Sequence, residues 1–153
     1  LNLNYRLSKT YHGTPQIRLS KNKWFREFLV RCGVEQRDKK RISEKLMYMK
    51  LENISELLKG LFDTDGYVDS GTDVGFSNIS LTLIKQIQKL LLRFGIVSTI
   101  REKKPSFMKI FNKTYKTVTS YELIIIQKKS ILDFHKFVGF NVKRKQEKTV
   151  KHN

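Results

Sequence analysis

The 153 residues include one cysteine, two prolines and 14 acidic side chains, and each scarcity excludes something. Cys32 cannot close an intramolecular disulfide or join a multi-cysteine zinc site. It lies in an apolar helical stretch, the ordinary place for a small buried hydrophobe. No segment approaches the ~18 uncharged apolar residues of a membrane span, and no secretory hydrophobic region opens the chain. The expected setting is therefore the cytoplasm, or an organelle in a eukaryote, with no membrane partner. The first residue is Leu1 rather than Met, so an upstream beginning is also expected. The acids face 31 Lys and Arg, for a formal charge of +17. Such a surface repels itself, and a polyanion relieves the repulsion. Nucleic acid is the first candidate, because each neutralised phosphate releases counterions. A lysine-rich solvated surface is the competing reading. Hydrophobic residues at 39% and aromatics at 11% suffice for a core, in one domain or two small repeated lobes.

Local patterns then divide the chain. Two short strands are expected within residues 1–21, joined by a turn at His12-Gly13-Thr14-Pro15. A helix over about 22–31 gathers Trp24, Phe25, Phe28, Leu29 and Cys32 on one face and stops at Gly33. A basic connector follows, Arg37-Asp38-Lys39-Lys40-Arg41. A second helix is predicted over about 54–65, with Asn53 as N-cap and Glu56 completing a capping box. A hairpin is predicted from Tyr67–Ser70 and Val74–Asn78, with Gly71 in its turn. Ser80 caps an amphipathic helix bearing Leu83, Ile84, Ile87, Leu90, Leu91 and Phe94, which ends at Gly95. Strands over about 97–103 and 116–126 and a helix over about 130–138, stopped by Gly139, complete an α-β-β-α-β-β-α order. The charged tail from Asn141 is expected to fray.

A weak internal repeat joins the two ends. Sliding residues 17–34 onto 123–140 matches Lys23 with Lys129, Phe28 with Phe134 and Gly33 with Gly139, and five further apolar positions coincide. The division this suggests is 1–45 as the ββα end of one repeat, 46–52 as linker, 53–140 as a complete repeat and 141–153 as basic tail.

The stretch Leu57-Leu58-Lys59-Gly60-Leu61-Phe62-Asp63-Thr64-Asp65-Gly66 breaks two local rules. Gly60 inside a helix costs roughly 1 kcal/mol relative to Ala. Asp63 and Asp65 crowd the helix C-terminus, where the dipole disfavours negative charge. Sequences break such rules chiefly at functional sites. Gly60 and Thr64, four apart, make a small-residue stripe that lets a second helix approach closely. Two such helices would bring two carboxylates together at one end, and Gly66 would supply a left-handed cap. A calcium loop competes for Asp-Thr-Asp-Gly-Tyr-Val-Asp, but it places Leu61 and Thr72 where the first and last acidic ligands belong. A plain helix end with solvated acids is the other alternative.

Leu58 to Gly66 resembles the signature of the LAGLIDADG homing endonucleases, matching at Leu58, Gly60, Leu61, Asp63, Asp65 and Gly66, with Lys59 in place of a small residue. The resemblance implies an α+β fold, LAGLIDADG homing-endonuclease-like αββαββα, with an antiparallel sheet saddle that enters the DNA major groove. It implies that motif helices of two repeats or two subunits pair, with Gly60 and Thr64 at the interface. Asp65 would hold Mg²⁺ (or Mn²⁺), with the Thr64 carbonyl as a secondary contact, while Asp63 is read as structural. The family also places a basic residue near the scissile phosphate; Lys128 is the first candidate, with Lys129 and Lys145 as rivals. DNA readout is expected from the sheet face opposite the helices: Thr99, Arg101 and Lys103, then Thr117, Thr119 and Tyr121, joined by Tyr67, Asp69 and Ser77. Gln16, Arg18 and Ser20 would serve the other lobe.

The activity so implied is Mg²⁺-dependent cleavage of both strands of a long duplex site across the minor groove. One motif copy leaves a homodimer, a preceding repeat or an intein context open. A non-cleaving relative, an RNA-splicing maturase or a DNA-binding regulator, is the alternative; an intact Asp65 favours the nuclease.

Overall fold

The computed structural model describes residues 5–9, 15–19, 23–32, 37–69, 73–110 and 113–150. The expected turns at 12–14 and Gly71 and the Gly33 stop lie outside them. Strands β1 (Tyr5–Lys9) and β2 (Pro15–Leu19) form an antiparallel hairpin with Tyr5 opposite Leu19. Helix α1 (Lys23–Arg31) follows, then a 3₁₀ turn at Arg37–Lys39 and the short α2 (Glu44–Met47). No residue of α1 is buried; Trp24 and Phe28, on its expected apolar face, are exposed.

Helix α3 (Leu51–Asp65) buries Ile54, Leu58 and Phe62, one residue per turn at four-residue spacing. It starts earlier than Asn53: Lys50 is the N-cap residue and no side chain caps it, so the predicted capping box does not form. Glu56 pairs instead with Lys59 at 2.6 Å. Gly66 is also not left-handed. Its φ of −80° and ψ of 159° start strand β3 (Gly66–Val68) directly. Glycine is needed there for space, since a Cβ would stand 2.8 Å from the Phe62 Cα.

Strand β4 (Val74–Asn78) pairs with β3. Helix α4 (Leu81–Leu92) begins at Ser80, whose Oγ accepts from the Leu83 N–H at 3.2 Å. Its buried residues, Leu83, Ile84, Ile87, Leu90 and Leu91, are the predicted ones, and Gly95 closes it at φ 74°. Strand β5 (Thr99–Lys103) comes next. Where the sequence suggested one strand over 116–126, the chain builds an extra hairpin, β6 (Phe107–Ile110) and β7 (Lys113–Lys116), and then β8 (Ser120–Ile125). The main sheet is antiparallel in the order β3-β4-β8-β5. Helix α5 (Lys128–Phe137) ends near Gly139, at φ 65°. The tail expected to fray is instead helix α6 (Lys143–Val150).

The order is therefore the predicted αββαββα with one inserted hairpin and one added helix, a mixed α+β fold around an antiparallel sheet. The core lies between that sheet and α3, α4 and α5. Phe62 is its hub, with ring centroids 4.8 Å from Phe134 and 5.4 Å from Phe76. Residues 40–49 strap onto α4. The Gln86 amide bonds both backbone groups of Ile42 at 2.7 and 2.8 Å, Ser80 Oγ donates to the Lys40 carbonyl, and Arg93 donates to the carbonyls of Met47 and Met49.

Candidate functional site

One side of α3 turns into the core, and the other carries Gly60, Thr64 and Asp65, all exposed. Among the described residues a Cβ added at Gly60 would meet nothing within 4 Å, which leaves room there for close approach. The Thr64 hydroxyl donates back to the Leu61 carbonyl at 2.9 Å and does not project a polar contact outward. Asp65 is steered from below. The buried Asn78 donates Nδ2 to Asp65 Oδ2 at 3.2 Å, and its own Oδ1 accepts from the Ser80 N–H at 3.0 Å.

The end of α3 meets the start of α6 through two reciprocal caps. The Lys145 ammonium donates to the carbonyls of Phe62 (2.9 Å), Asp63 (2.7 Å) and Gly66 (2.7 Å). Those acceptors are helix-terminal carbonyls, which a cation suits on both hydrogen-bonding and dipole grounds. Asp63 Oδ1 in turn accepts from the backbone N–H groups of Asn141 (3.0 Å) and Val142 (3.2 Å), the two residues that lead into α6. An acid at the wrong end of its own helix is thus a cap for another. Burial pushes the Lys145 pKa below that of an ordinary lysine and Arg144 adds to this, while Asp63 and Asp65 pull it back. Of the three lysines considered, only Lys145 is placed against the motif. Lys128 opens α5 as an exposed residue, and Lys129 pairs with Asp133 at 2.7 Å.

Register sorts the sheet residues into two faces. Tyr67, Gly75, Ile124 and Thr99 align across the four strands, and Ser77, Glu122 and Arg101 form the next row on the same side, followed by Ser120 and Lys103. Ile124 is buried yet stands apart from the core cluster, consistent with a position on the face away from the helices. Tyr121 departs from expectation. It aligns with Asn78 and Glu102 on the opposite face and packs against the core, because it is one residue out of phase with Glu122. Thr119 lies in the connection before β8, and the Thr117 hydroxyl accepts from the Ser106 N–H at 2.8 Å at the base of the extra hairpin. Arg18 lies in β2 opposite Arg6; its side chain is outside the described residues.

Glu122 is the residue on this face that the sequence did not single out. The carboxylate accepts from the Tyr67 hydroxyl and from Lys103 Nζ at 2.8 Å. Burial raises its pKa, but the bonds from Lys103 and Tyr67 and the charges of Lys103 and Arg101 outweigh this and hold the carboxyl below its ordinary value. Tyr67 is pushed far up, by burial first and then by the bond to Glu122. Among the described residues no group of three or more His, Cys, Asp or Glu is placed to hold a metal. No described helix is long and apolar enough to cross a membrane.

A family model described as a LAGLIDADG-like domain matches residues 52–139. Relatives in Methanocaldococcus jannaschii include the glutamine–fructose-6-phosphate aminotransferase, 33% identical over 126 residues, and the ATP-dependent DNA helicase Hel308, 33% identical over 130 residues. These alignments cover 82% and 83% of this chain but 11% of each relative. A probable translation initiation factor IF-2 from the same organism is 38% identical over 97 residues, 63% of this chain and 8% of that protein. The chain thus spans about a tenth of the length of each of these relatives. With the motif on α3, the open Gly60 face and the antiparallel sheet beneath it, the match over 52–139 makes this chain a member of the LAGLIDADG family of homing endonucleases and maturases.

Proposed function

We propose that the protein is a site-specific homing endonuclease that binds a long duplex DNA site and hydrolyses one phosphodiester in each strand across the minor groove. The observation that carries this reading is Asp65: an exposed carboxylate at the end of α3, oriented by the buried Asn78, beside a helix face left open at Gly60. A second motif helix, from another copy or from a preceding repeat, would pack along Gly60 and Thr64 and bring a second carboxylate to Asp65. The in-phase placement of β2 and α1 against β8 and α5, 106 residues on, favours residues 1–45 as the end of such a preceding repeat.

The donor set fits Mg²⁺ or Mn²⁺. Asp65 offers hard carboxylate oxygen, the adjacent Thr64 carbonyl would add a second oxygen donor, and two such ends would give the paired acids that a hard cation prefers. When bound, the ion supplies an activated water and stabilises the leaving 3′-oxygen. The protein's own part is orientation and charge. Asn78 fixes the Asp65 carboxylate, and Lys145, rather than Lys128, is the cation held beside it. The sheet face of Tyr67, Ser77, Thr99, Arg101 and Lys103 would meet base edges and phosphates.

The relatives support a mobile origin. An aminotransferase, a helicase and an initiation factor share this segment in 8 to 11% of their lengths, as expected of an element inserted into unrelated hosts. The test is cleavage of a randomised duplex library with Mg²⁺ by the native chain and by Asp65→Asn. A discrete site cut by the native chain and bound but uncut by the variant is the expected result. Binding without cutting by both would leave either a binding-only relative or a chain that needs a preceding motif helix, and adding an upstream segment would decide between the two.

A further inference from the structure

The sheet face proposed to meet DNA has a carboxylate near its centre, where phosphates would be repelled. Glu122 is 8% exposed and lies between Ser77 and Arg101 in register. It is reached from both sides. Lys103 comes from the edge strand β5, and Tyr67 comes from the opposite edge strand β3. To arrive, the Tyr67 ring crosses β4 at Gly75, its register partner. A Cβ there would stand 2.6 Å from the ring's Cε1, so the crossing requires glycine. The tie spans all four strands on a face that contributes little to the core. The backbone ladders and the opposite face already hold these strands together.

What the tie changes is the freedom of two side chains. An unheld lysine swings on a flexible stem and settles on whichever phosphate is near. Here one N–H of the ammonium is committed to Glu122, while the side chain remains 57% exposed and keeps two further donors for a ligand. A donor fixed in place loses less entropy on binding and discriminates between acceptors by position. In a major groove the acceptors that suit it are O6 and N7 of guanine. The carboxylate also offsets the charge of Arg101 and Lys103, which weakens sequence-independent attraction.

We propose that Glu122 is a specificity-determining residue of the duplex interface, holding Lys103 and Tyr67 so that the lysine reads a base edge instead of a phosphate. The inference deepens the endonuclease reading and rests on it. Its cost is affinity for arbitrary DNA, and its gain is discrimination.

The test uses the full chain, Glu122→Gln and Lys103→Met, with a randomised duplex library and one fixed duplex titrated at several salt concentrations. Glu122→Gln is expected to bind the unselected library several-fold more tightly. Its log–log salt slope should steepen by about 0.9, one added phosphate contact. Preference for guanine at one position should fall on the order of tenfold. Lys103→Met should lose the same preference without tighter binding. An unchanged base profile and slope in Glu122→Gln would overturn the proposal. So would a parallel loss of affinity for selected and random duplexes, which a merely structural tie would produce. If Glu122→Gln melts below the assay temperature, Glu122→Asp carries the base-preference comparison, because it keeps the charge on this face and draws the carboxylate back from Lys103. A native chain that binds no duplex sinks the functional reading itself, whereas a native site with an indifferent Glu122→Gln sinks only this inference.

Discussion

Replacing Lys145 with methionine removes the ammonium that fills three carbonyls at the end of α3 while keeping most of the apolar stem. Hydrogen bonds from a charged donor contribute about 1.5–3 kcal/mol each when protected from water. The three here are not fully protected. The Phe62 carbonyl keeps its bond from the Gly66 N–H, and water at this surface junction can replace part of the rest. The expected loss is therefore about 2–4 kcal/mol, below the simple sum. For a chain of this size it lowers Tm by about 4–16 °C. Asp63→Ala removes the cap at the start of α6 and should cost about 0.5–2 kcal/mol. Both locks hold one junction, so loosening either releases much of what the other holds. The double variant should cost less than the two single losses combined, by at least about 0.5 kcal/mol. Urea unfolding followed by circular dichroism measures all four proteins, provided the m-values agree. A Lys145→Met variant within about 0.5 kcal/mol of native would refute the capping argument. Additivity within about 0.3 kcal/mol would refute the claim that the two caps act as one lock.

Two further outcomes follow from the same geometry. Gly60→Ala should stabilise the isolated chain by up to about 1 kcal/mol, because it relieves a mid-helix glycine and meets no neighbour. Gly60→Leu should fold equally well yet lose helix pairing and cleavage; retained cleavage would exclude α3 as the pairing surface. His135 supplies a pH test. Burial lowers its pKa below 6.5, and both ring nitrogens are buried without a hydrogen-bond partner among the described residues. A folded-state pKa below the unfolded one means that its contribution is complete above about pH 6.5 and is lost as pH falls through the folded value. Thermal melts between pH 7 and 5 should therefore fall more steeply for the native chain than for His135→Phe, and parallel curves would count against a buried neutral imidazole.

Features set by neighbours along the chain could be read without a structure. The four-residue spacing of Ile54, Leu58 and Phe62 gave the buried side of α3, and the apolar positions of α4 were the ones found buried. Ser80 as a cap and Gly95 and Gly139 as stops are decided within a few residues, where side-chain chemistry and backbone sterics act directly. The exposed Asp65 and the uncrowded Gly60 were legible because each violates a local helix rule.

Features that depend on distant partners were not legible. Helix α6 has almost no apolar stripe to betray it. It is secured by Lys145 and Asp63, whose bonds join residues 78 to 83 apart, and by Gln146, which accepts from the Phe140 N–H at 2.9 Å. The sequence alone therefore offers Lys145 only as a rival to Lys128. The faces of Tyr121 and Glu122 could not be assigned either, since a one-residue change of phase exchanges them and the sheet partner fixes the phase. Sequence alone determined the motif helix and its core face, because these follow from local periodicity and residue type. The tertiary structure alone decided which lysine caps the end of α3 and which acid Lys103 and Tyr67 meet on the sheet, because only the fold brings residues so far apart in the chain within bonding distance.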